Sequence, residues 1–401
     1  MRLALLAAFG GILTAVTLPL VLELFLVTTA FLSRRRRQHR ACAIAPHIAV
    51  IVPAHNEESL IEACVISLLE SAAGTARVLV VAHNCKDRTA DVAVRAGAEL
   101  LIYNDEAARG KGHALRHGFN YAIKDGAEAV LVVDADSTVS RNLIPEVLRS
   151  LSEGAAAVQC RYEMQQSVNN ARSRLSSLAF RAFTYIRPAG REQLGLSAGI
   201  SGNGFALTAS LLKKVPYEAF SVVEDLEYHI HMVMAGERVR FIENAVVSSH
   251  CPPSSTGETV QQSRWQGGRM WVARKWILPL LGQVALGRVR MLEPMLDLAC
   301  LPLAYGVAAL LAECLIPLPW VRMYAVASLG VVVVHVLTAA WAGPDFLGTL
   351  RMLATAPVYI LWKMRLVPGI LKASSQRAKW VRTDREGAVT EPAMSTPSLP
   401  Q

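Results

Sequence analysis

Residues 130–137 read Val-Leu-Val-Val-Asp-Ala-Asp-Ser, and this stretch decides the predicted fold. Its leading apolar, mostly β-branched run is typical of a strand buried on both faces of a parallel sheet. Asp134 and Asp136 follow where the strand ends, which is the edge at which open α/β sheets bind ligands. Because residues two apart on an extended chain point the same way, both carboxylates can face one Mg²⁺ or Mn²⁺ that carries a substrate diphosphate. For this stretch alone, an acidic turn that caps the next helix is the alternative.

The composition of the chain indicates a membrane protein. Its 401 residues are 52% hydrophobic and carry a net charge of +9. Five arginines at positions 34–40 follow an apolar segment, so the charge favours contact with anionic membrane lipid. Aromatic residues are sparse and no nucleic-acid motif accompanies the basic residues, which excludes nucleic acid as a partner. The seven cysteines show no Cys-x-x-Cys pair, which argues against a zinc site or a disulfide framework and indicates a reducing cytosol.

A long apolar segment begins the chain. Residues 3–32 carry one charge, Glu23, and exceed the roughly 20 residues that a helix needs to cross the hydrocarbon layer. A cleaved signal peptide is the alternative, but the stretch is too long and its positive charges lie after it. We therefore predict a transmembrane anchor over 1–33. The arginines that follow place the next domain in the cytoplasm and the N-terminus outside the inner membrane.

Apolar character returns near the C-terminus. Residues 298–318 and 324–341 are predicted to span the membrane, whereas 352–370 is interrupted by Lys363 and Arg365 and is predicted to be interfacial or re-entrant. We therefore predict a multi-pass inner-membrane protein. The predicted regions are an interfacial helix (271–292, for which a core helix is the alternative), a membrane region (293–371) and a basic, then disordered tail (372–401).

Residues 41–270 form the predicted catalytic domain, an α/β fold with a mostly parallel sheet flanked by the transmembrane helices. Short strands alternate there with amphipathic helices; the predicted strands are 47–53, 77–81, 99–103, 130–133, 155–160, 239–242 and 245–247, and the predicted helices are 58–70, 89–96, 112–124, 142–152, 171–186 and 224–235.

Polar residues follow the first two predicted strands. The first strand ends in Pro53 and Ala54, with Asn56 and Glu57 beyond, and such groups at a strand end can hold a nucleoside by hydrogen bonds to its edges. A helix N-cap with acids in the first turn is the alternative. His83 and Asp87 follow the second strand. Asp87 is a candidate for base or ribose contact, and capping of the next helix is its alternative.

Two glycine-rich stretches are candidate ligand loops. Lys111 lies in Arg-Gly-Lys-Gly at 109–112, directly before a helix, where backbone amides and a lysine suit a phosphate. A solvated loop is the alternative. Gly202, Asn203 and Gly204 would let the backbone approach a ligand closely, although a plain turn explains them equally well.

The last two motifs carry acids and an arginine. Glu224 and Asp225 open a helix, where a carboxylate can take a proton from a sugar hydroxyl or simply complement the helix dipole. Gln261, Arg264 and Trp265 combine a cation that binds diphosphate in bidentate fashion with an indole on which a sugar can stack. An amphipathic interfacial helix is the alternative for that stretch.

Taken in order, these motifs resemble one family. Pro-Ala-His-Asn-Glu-Glu at 53–58, Asp-Ala-Asp at 134–136, Gly-Asn-Gly at 202–204, Glu-Asp at 224–225 and Gln-x-x-Arg-Trp at 261–265 are similar to those of membrane-embedded family-2 glycosyltransferases. That group includes cellulose, chitin, hyaluronan and poly-N-acetylglucosamine synthases. The resemblance implies a GT-A type nucleotide-sugar-binding domain that forms a β-linkage by in-line displacement, with Mg²⁺ or Mn²⁺ as cofactor.

The resemblance also implies a role for each matching residue. Glu57 and Asp87 would bind the uridine part of a UDP-sugar; Asp134 would contact the nucleotide and Asp136 the metal; Asp225 would be the catalytic base with Glu224 beside it; Gln261, Arg264 and Trp265 would grip the diphosphate and frame the acceptor site. His83 departs from the pattern, since many relatives carry Asp there, and Arg116 stands where Asn is frequent.

Stretches 109–115 and 379–385 look like the bacterial exopolysaccharide branch of the family. The predicted function is therefore transfer of a sugar from a nucleotide sugar to a growing surface polysaccharide, with polysaccharide-export proteins as possible partners. Because this chain has fewer predicted spans than polymer-threading synthases, addition of one sugar to a lipid or lipid-linked acceptor is the alternative. An inactive membrane scaffold is a further alternative for the function.

Overall fold

The computed structural model describes residues 1–34, 47–165, 171–250 and 255–374. Most of the predicted arginine cluster and the tail beyond 374, including the stretch 379–385, lie outside the described residues.

An eight-stranded sheet forms the centre of the α/β domain. Its strands are β1 (Ile48–Ala54), β2 (Ala76–His83), β3 (Glu99–Tyr103), β4 (Ala129–Val132), β5 (Ser137–Val139), β6 (Ala157–Gln165), β7 (Phe205–Thr208) and β8 (Val239–His250). They lie in the order β3-β2-β1-β4-β7-β6-β8-β5. The four strands from β3 to β4 are parallel, whereas β7 is antiparallel to both β4 and β6, and β5 is antiparallel to β8.

The sheet is therefore mixed, and the prediction of a mostly parallel sheet is wrong. An apolar run reports that a strand is buried but carries no information on its direction. The two closing strands predicted at 239–242 and 245–247 form one strand, β8, whose pairing with β6 shifts register between Cys160 and Arg161. A register shift of this kind lets a strand continue through a local irregularity, so the two predicted segments belong to one strand.

Helices cover both faces of this sheet and bury two apolar clusters, one on each side. They are α2 (Ile61–Ala72), α3 (Thr89–Arg95), α4 (Lys111–Lys124), α5 (Leu143–Ser152), α8 (Ala209–Lys214) and α9 (Glu224–Met234). Helices α6 (Ala171–Arg181) and α7 (Arg187–Gln193), joined by a π-helical turn at Ala182–Ile186, belong to a third apolar cluster that includes Phe31 and Ala339. Strands β1 and β4 are almost wholly buried because both faces are covered. Their polar C-terminal extensions are consequently held in fixed positions at one edge of the sheet.

The Gln-x-x-Arg-Trp motif lies on a long helix. Helix α10 (Ser255–Ala285) runs without a break through the boundary predicted at 270, so residues 271–285 continue it. A short 3₁₀ turn at Val289–Met291 and helix α11 (Leu292–Ala299) follow.

Two helices are long and apolar enough to cross a membrane, namely the N-terminal helix (Arg2–Leu32), called αN here, and α13 (Pro319–Trp341). The span predicted at 298–318 is not one straight helix, since α11 and α12 (Leu303–Leu315) meet at an angle of 81°. Pro302, which has no amide hydrogen to continue a helix, lies at this bend. The described residues thus contain two candidate spans, or three if the bent pair counts as one.

The segment predicted at 352–370 forms parts of three short helices, α14 (Phe346–Leu353), α15 (Ala356–Arg365) and α16 (Val367–Ala373). None of them meets the length of a spanning helix.

Helix αN packs directly on the α/β domain. Glu23 accepts hydrogen bonds of 2.8 Å from Nε of both Arg187 and Arg191, which come from α7. Arg187 also donates to Asp297 of α11 at 2.6 Å. Since ion pairs in surroundings of low polarity are weakly screened, this network fixes αN against α7 and α11. The apolar helices therefore pack directly against the domain that contains the sheet.

Candidate active site

One cavity of about 1520 Å³ connects the carboxyl ends of the strands with the apolar helices. The predicted site residues that line it are Pro53, Ala54, Asn56, Glu57, His83, Lys111, Asp134, Asp136, Gly202, Glu224, Asp225, Gln261, Arg264 and Trp265. Three predicted site residues, Asp87, Asn203 and Gly204, are not among its lining residues. Acids and cations far apart in the sequence thus meet in a single space, and Asp136 and Asp225 share it.

The loops after β1 and β2 form the first wall. Asn56 and Asn84 both adopt left-handed backbone conformations, with φ of 58° and 53°. The Lys86 amide donates to Asn56 Oδ1 at 2.7 Å, and His55 Nδ1 donates to the His83 carbonyl oxygen at the same distance. These hydrogen bonds join the two loops and fix the position of the strand ends that line the cavity.

His83 presents a neutral ring to this wall. The ring stacks on Tyr103 with 4.9 Å between centroids. Burial, together with the neighbouring His55, lowers the pKa of His83. His83 Nε2 accepts a hydrogen bond from Asn84 Nδ2 at 3.1 Å, so the β2 loop fixes the orientation of the ring in this wall.

Asp87 has a different position from the one predicted. Its Oδ1 accepts hydrogen bonds from the Thr89 amide at 3.0 Å and hydroxyl at 2.5 Å, and its Oδ2 accepts from the Glu58 amide at 3.2 Å. Burial raises the pKa of Asp87, but these hydrogen bonds outweigh it and hold the pKa below its usual value. The carboxylate therefore caps the start of α3 and ties it to the β1 loop, which was the alternative offered by the sequence.

Lys111 joins three parts of the site. Its ammonium donates to Asp134 Oδ1 and, at 2.6 Å, to the carbonyl oxygen of Gly202. Gly202 has φ of +75°, and a Cβ there would lie 3.1 Å from Asp225 Oδ2. The glycine therefore allows a backbone turn to lie between the lysine and the acids of α9, as its conformational freedom permits.

Asn203 and Gly204 act behind this loop. Asn203 is buried; its Oδ1 accepts from the Asp134 amide at 3.1 Å, and its Nδ2 donates to Ser137 Oγ at 2.8 Å. Gly204 lies against Val247, where a Cβ would meet the side chain at 2.8 Å. The predicted acceptor or diphosphate contact is thus replaced by a positioning contact, since Asn203 holds the Asp134 loop from its buried side.

Glu224 and Asp225 begin α9 and face the cavity. Burial raises the pKa of both carboxyl groups, and the Lys111 ammonium opposes that rise in each case. The Leu226 amide donates to Asp225 Oδ1 at 2.8 Å, so one oxygen of this carboxylate is fixed by the helix start. A carboxylate with a raised pKa is a stronger base than an exposed one, which suits it to accept a proton from a hydroxyl.

Helix α10 supplies the opposite wall. Burial lowers the pKa of Arg264, while Glu224 and Asp134 act against that change because their charges favour the guanidinium. Trp265 stacks on Phe180 with 6.2 Å between ring centroids. A cation near the acids and an indole with a fixed orientation can together hold an anionic leaving group and a sugar ring.

The Asp134–Asp136 pair has the chemistry of a divalent metal site. Asp136 Oδ1 accepts from Ser137 Oγ at 3.0 Å, and Asp134 is bound by Lys111. In the part of the chain that the structure describes, no group of three or more His, Cys, Asp or Glu side chains could hold a metal. One or two carboxylates nevertheless suffice for Mg²⁺ when substrate phosphates complete its coordination, so the donor set fits an ion that arrives with a nucleotide.

A sequence profile described as "Glycosyltransferase like family 2" matches residues 45–268, more than half of the chain. The chain belongs to this family. It is 25% identical to "Probable glycosyltransferase YdaM" of Bacillus subtilis over 243 residues, which cover 58% of this chain and 57% of YdaM. It is 34% identical to "Protein RfbJ" of Shigella flexneri over 119 residues, 29% of this chain and 87% of RfbJ.

The fold of this glycosyltransferase is also similar to that of a solved structure. The mannosyltransferase PcManGT from Pyrobaculum calidifontis, in complex with GDP-Man and Mn²⁺, superposes with a TM-score of 0.56 at 19% identity. The superposition covers 94% of this chain and 99% of PcManGT. The likeness therefore extends beyond residues 45–268 into the apolar helices.

Two sets of residues that line the cavity were not predicted from the sequence. His250 lines the cavity, and the pairing of Ser137 with Ser249 places it beside Asp136 across the β5–β8 pair. That neighbour depends on the pairing of β5 with β8, which local sequence pattern does not indicate. The second set comes from the apolar helices αN, α12, α13 and α15, whose sequence indicated only membrane contact.

Proposed function

We propose that this glycosyltransferase transfers a sugar from a nucleotide sugar to an acceptor hydroxyl at the cytoplasmic face of the inner membrane, with inversion at the anomeric carbon. The product would be a surface polysaccharide or a glycolipid. One observation carries the proposal: Lys111, Asp134, Asp225 and Arg264 line one cavity that also opens between apolar helices.

The donor would lie along the ends of β1, β2 and β4. Pro53, Ala54, Asn56 and Glu57 would surround the base and ribose together with the neutral His83, and Asp134 would contact the nucleotide. We propose a UDP-sugar as donor. The solved structure of PcManGT contains GDP-Man, so GDP-mannose is the donor against which a UDP-sugar should be compared.

Asp136, with Asp134, would hold Mg²⁺ or Mn²⁺ on the donor diphosphate. The ion would supply positive charge that offsets the charge developing on the leaving diphosphate. Arg264 and Lys111 add fixed cations on the same side, while Gln261 and Trp265 frame the acceptor.

The transfer step uses Asp225 as general base. The acceptor hydroxyl gives its proton to the Asp225 carboxylate while its oxygen forms a bond to the anomeric carbon. The bond from that carbon to the diphosphate oxygen breaks, and the nucleoside diphosphate leaves with the electron pair. Attack from the face opposite the leaving group turns an α-linked donor into a β-linked product. Glu224 lies beside the base, and the charges of Lys111 and Asp134 act on the pKa of Asp225.

The membrane arrangement remains part of the proposal: an anchor at 1–33, a catalytic domain at 41–270 and a membrane region at 293–371, with the N-terminus outside. A growing polysaccharide is the first acceptor that we propose. Addition of one sugar to a lipid-linked acceptor is the second candidate, and the cavity favours it because apolar side chains of αN and α13 line its far side.

Purified protein incubated with UDP-glucose, UDP-N-acetylglucosamine, UDP-galactose or GDP-mannose, Mn²⁺ and acceptor tests the proposal by release of nucleoside diphosphate. Asp225→Asn should lower turnover by about 10²–10⁴-fold and leave nucleotide binding intact. Asp125→Asn is the matched control, since Asp125 is exposed and pairs with Arg77 away from the cavity. Equal release by wild type and Asp225→Asn would contradict the enzyme claim.

Product analysis separates the remaining alternatives. A ladder of products on a sizing gel would indicate repeated addition, whereas a single added sugar would indicate the lipid-linked route. Unchanged glycan production in cells that carry Asp136→Ala would favour an inactive scaffold.

A further inference from the structure

The cavity continues beyond the residues that match the family profile. Its far part, called the apolar limb here, is lined by side chains of αN, α12, α13 and α15: Leu20, Leu24, Val307, Val332, Val336 and Ile360. Aliphatic walls of this kind offer no hydrogen bonds to a sugar, but they remove a hydrocarbon chain from water, which is favourable in proportion to the apolar area buried. The limb therefore suits a lipid chain rather than a glycan.

A buried cation lies on α15 where the limb meets α10. Lys363 is only 6% exposed, and its Nζ donates to Gln262 Oε1 at 2.7 Å. The ammonium also lies 5.5 Å from the ring centroid of Tyr359 and 5.2 Å from that of Trp362. Lys363, Gln262 and Tyr359 all line the cavity.

The charge of Lys363 is incompletely balanced by its surroundings. Burial lowers the pKa of Lys363 to about 8, although Glu258 acts in the opposite direction. The Glu258 carboxylate is itself shared, because it accepts from Ser176 Oγ at 2.5 Å and pairs with Arg172 at 3.0 Å. A buried ammonium with a neutral amide as its hydrogen-bond partner gains free energy when an anion approaches it.

Lys363 is also connected to the reaction centre. Gln262, its hydrogen-bond partner, lies on α10 two residues before Arg264, whose guanidinium interacts electrostatically with Glu224 and Asp134. Lys363, Gln262 and Arg264 line the same cavity as the catalytic acids Glu224 and Asp225. The lysine and the reaction centre therefore open onto one continuous space.

We propose that Lys363 binds the phosphate-bearing head group of a lipid-linked acceptor whose hydrocarbon chain occupies the apolar limb. The inference rests on the proposed function, since it names the acceptor of that same site. It assigns a specificity-determining role to a residue outside the segment 45–268 that matches the family profile. The reacting hydroxyl would then belong to the part of the acceptor that extends past Lys363 toward Asp225.

Binding of simple amphiphiles tests the inference without the donor. Full-length protein in phosphatidylcholine nanodiscs is titrated with dodecyl phosphate and with dodecanol, which share a chain and differ in the head group. Wild type should bind dodecyl phosphate about tenfold or more tightly than dodecanol, as expected for one charge-assisted contact. Lys363→Met should remove most of this preference, and Lys363→Arg should restore most of it.

A matched control is available on α10. Lys275 also lies beside two indoles, 5.1 Å from the ring centroid of Trp271 and 5.4 Å from that of Trp276, but it does not line the cavity. Lys275→Met should keep the wild-type preference for dodecyl phosphate.

The outcomes separate this inference from the proposed function. A Lys363→Met protein that still binds UDP and still prefers dodecyl phosphate as strongly as wild type would overturn the inference and leave the enzyme claim intact. Equal binding of the two amphiphiles by wild type would also overturn it. If the wild-type protein shows no turnover of nucleotide sugars, that result contradicts the proposed function. It does not contradict the inference on Lys363, because the amphiphile-binding measurement needs no donor.

Discussion

Replacing Lys111 by Met should weaken turnover and change its pH dependence together. The substitution keeps the chain length but removes the ammonium that binds Asp134 and the carbonyl oxygen of Gly202. A hydrogen bond to a charged group contributes about 1.5–3 kcal/mol. Because the Lys111 and Asp134 side chains are 23% and 29% exposed, solvent screens part of this, and we expect a loss near the lower end. That corresponds to a fall in kcat/KM of about tenfold.

The pH effect has a defined sign. Lys111 lowers the pKa of Glu224 and Asp225 against the effect of burial, so its removal lets both pKa values rise further. A general base must be deprotonated to act. The acidic limb of the kcat/KM profile should therefore move to higher pH in Lys111→Met.

The assay is release of nucleoside diphosphate from the donor, followed over a range of pH at low donor concentration. Lys86→Met is the control, because Lys86 lines the same cavity but is exposed and is not among the groups that shift either acid. An acidic limb that stays at the wild-type position, or moves to lower pH, would refute the electrostatic coupling that we infer for Lys111.

Three further substitutions test positions fixed by the structure. Gly190→Ala should lower the thermal unfolding midpoint and the activity, because the new Cβ would lie 2.2 Å from a backbone oxygen of αN; Gly11→Ala, with open space around it, should do neither. Asp87→Ala should reduce the free energy of unfolding by about 1 kcal/mol through loss of a helix cap, with little change in nucleotide affinity. Gly202→Ala should reduce turnover more than stability, whereas Gly74→Ala, which also has positive φ but no near neighbour, should affect stability alone; equal effects on turnover would contradict the close approach to the α9 acids.

Local pattern was sufficient to predict the strands and helices that position the donor edge. The apolar runs at β1 and β4 and the polar residues after them gave both the elements and the edge at which Asp134 and Asp136 lie. The direction of β7 could not be predicted in this way, since it depends on how the chain returns across the sheet rather than on its four residues. The mixed sheet is the result.

The individual roles of polar residues were harder to predict than their presence. Asp87 and Asn203 lie in motifs, yet one caps α3 and the other supports the Asp134 loop from behind. A short sequence indicates that a carboxylate or an amide ends a strand, but which backbone amide it accepts from is decided by the neighbouring loop. Contacts such as that of Lys363 with Gln262, 101 residues apart, depend on tertiary packing and give no local signal.

The ion pairs around Glu23 connect the candidate spanning helix αN to the geometry of the site. Arg187 of α7 pairs with Glu23 of αN and with Asp297 of α11, and both Arg187 and Asp297 line the same cavity as Asp225. Removing one partner from a buried ion pair leaves a charge uncompensated, at a cost of about 3–5 kcal/mol. Helix αN is therefore a wall of the proposed acceptor site as well as a candidate anchor, and a catalytic domain cut free at residue 41 would lose part of that wall.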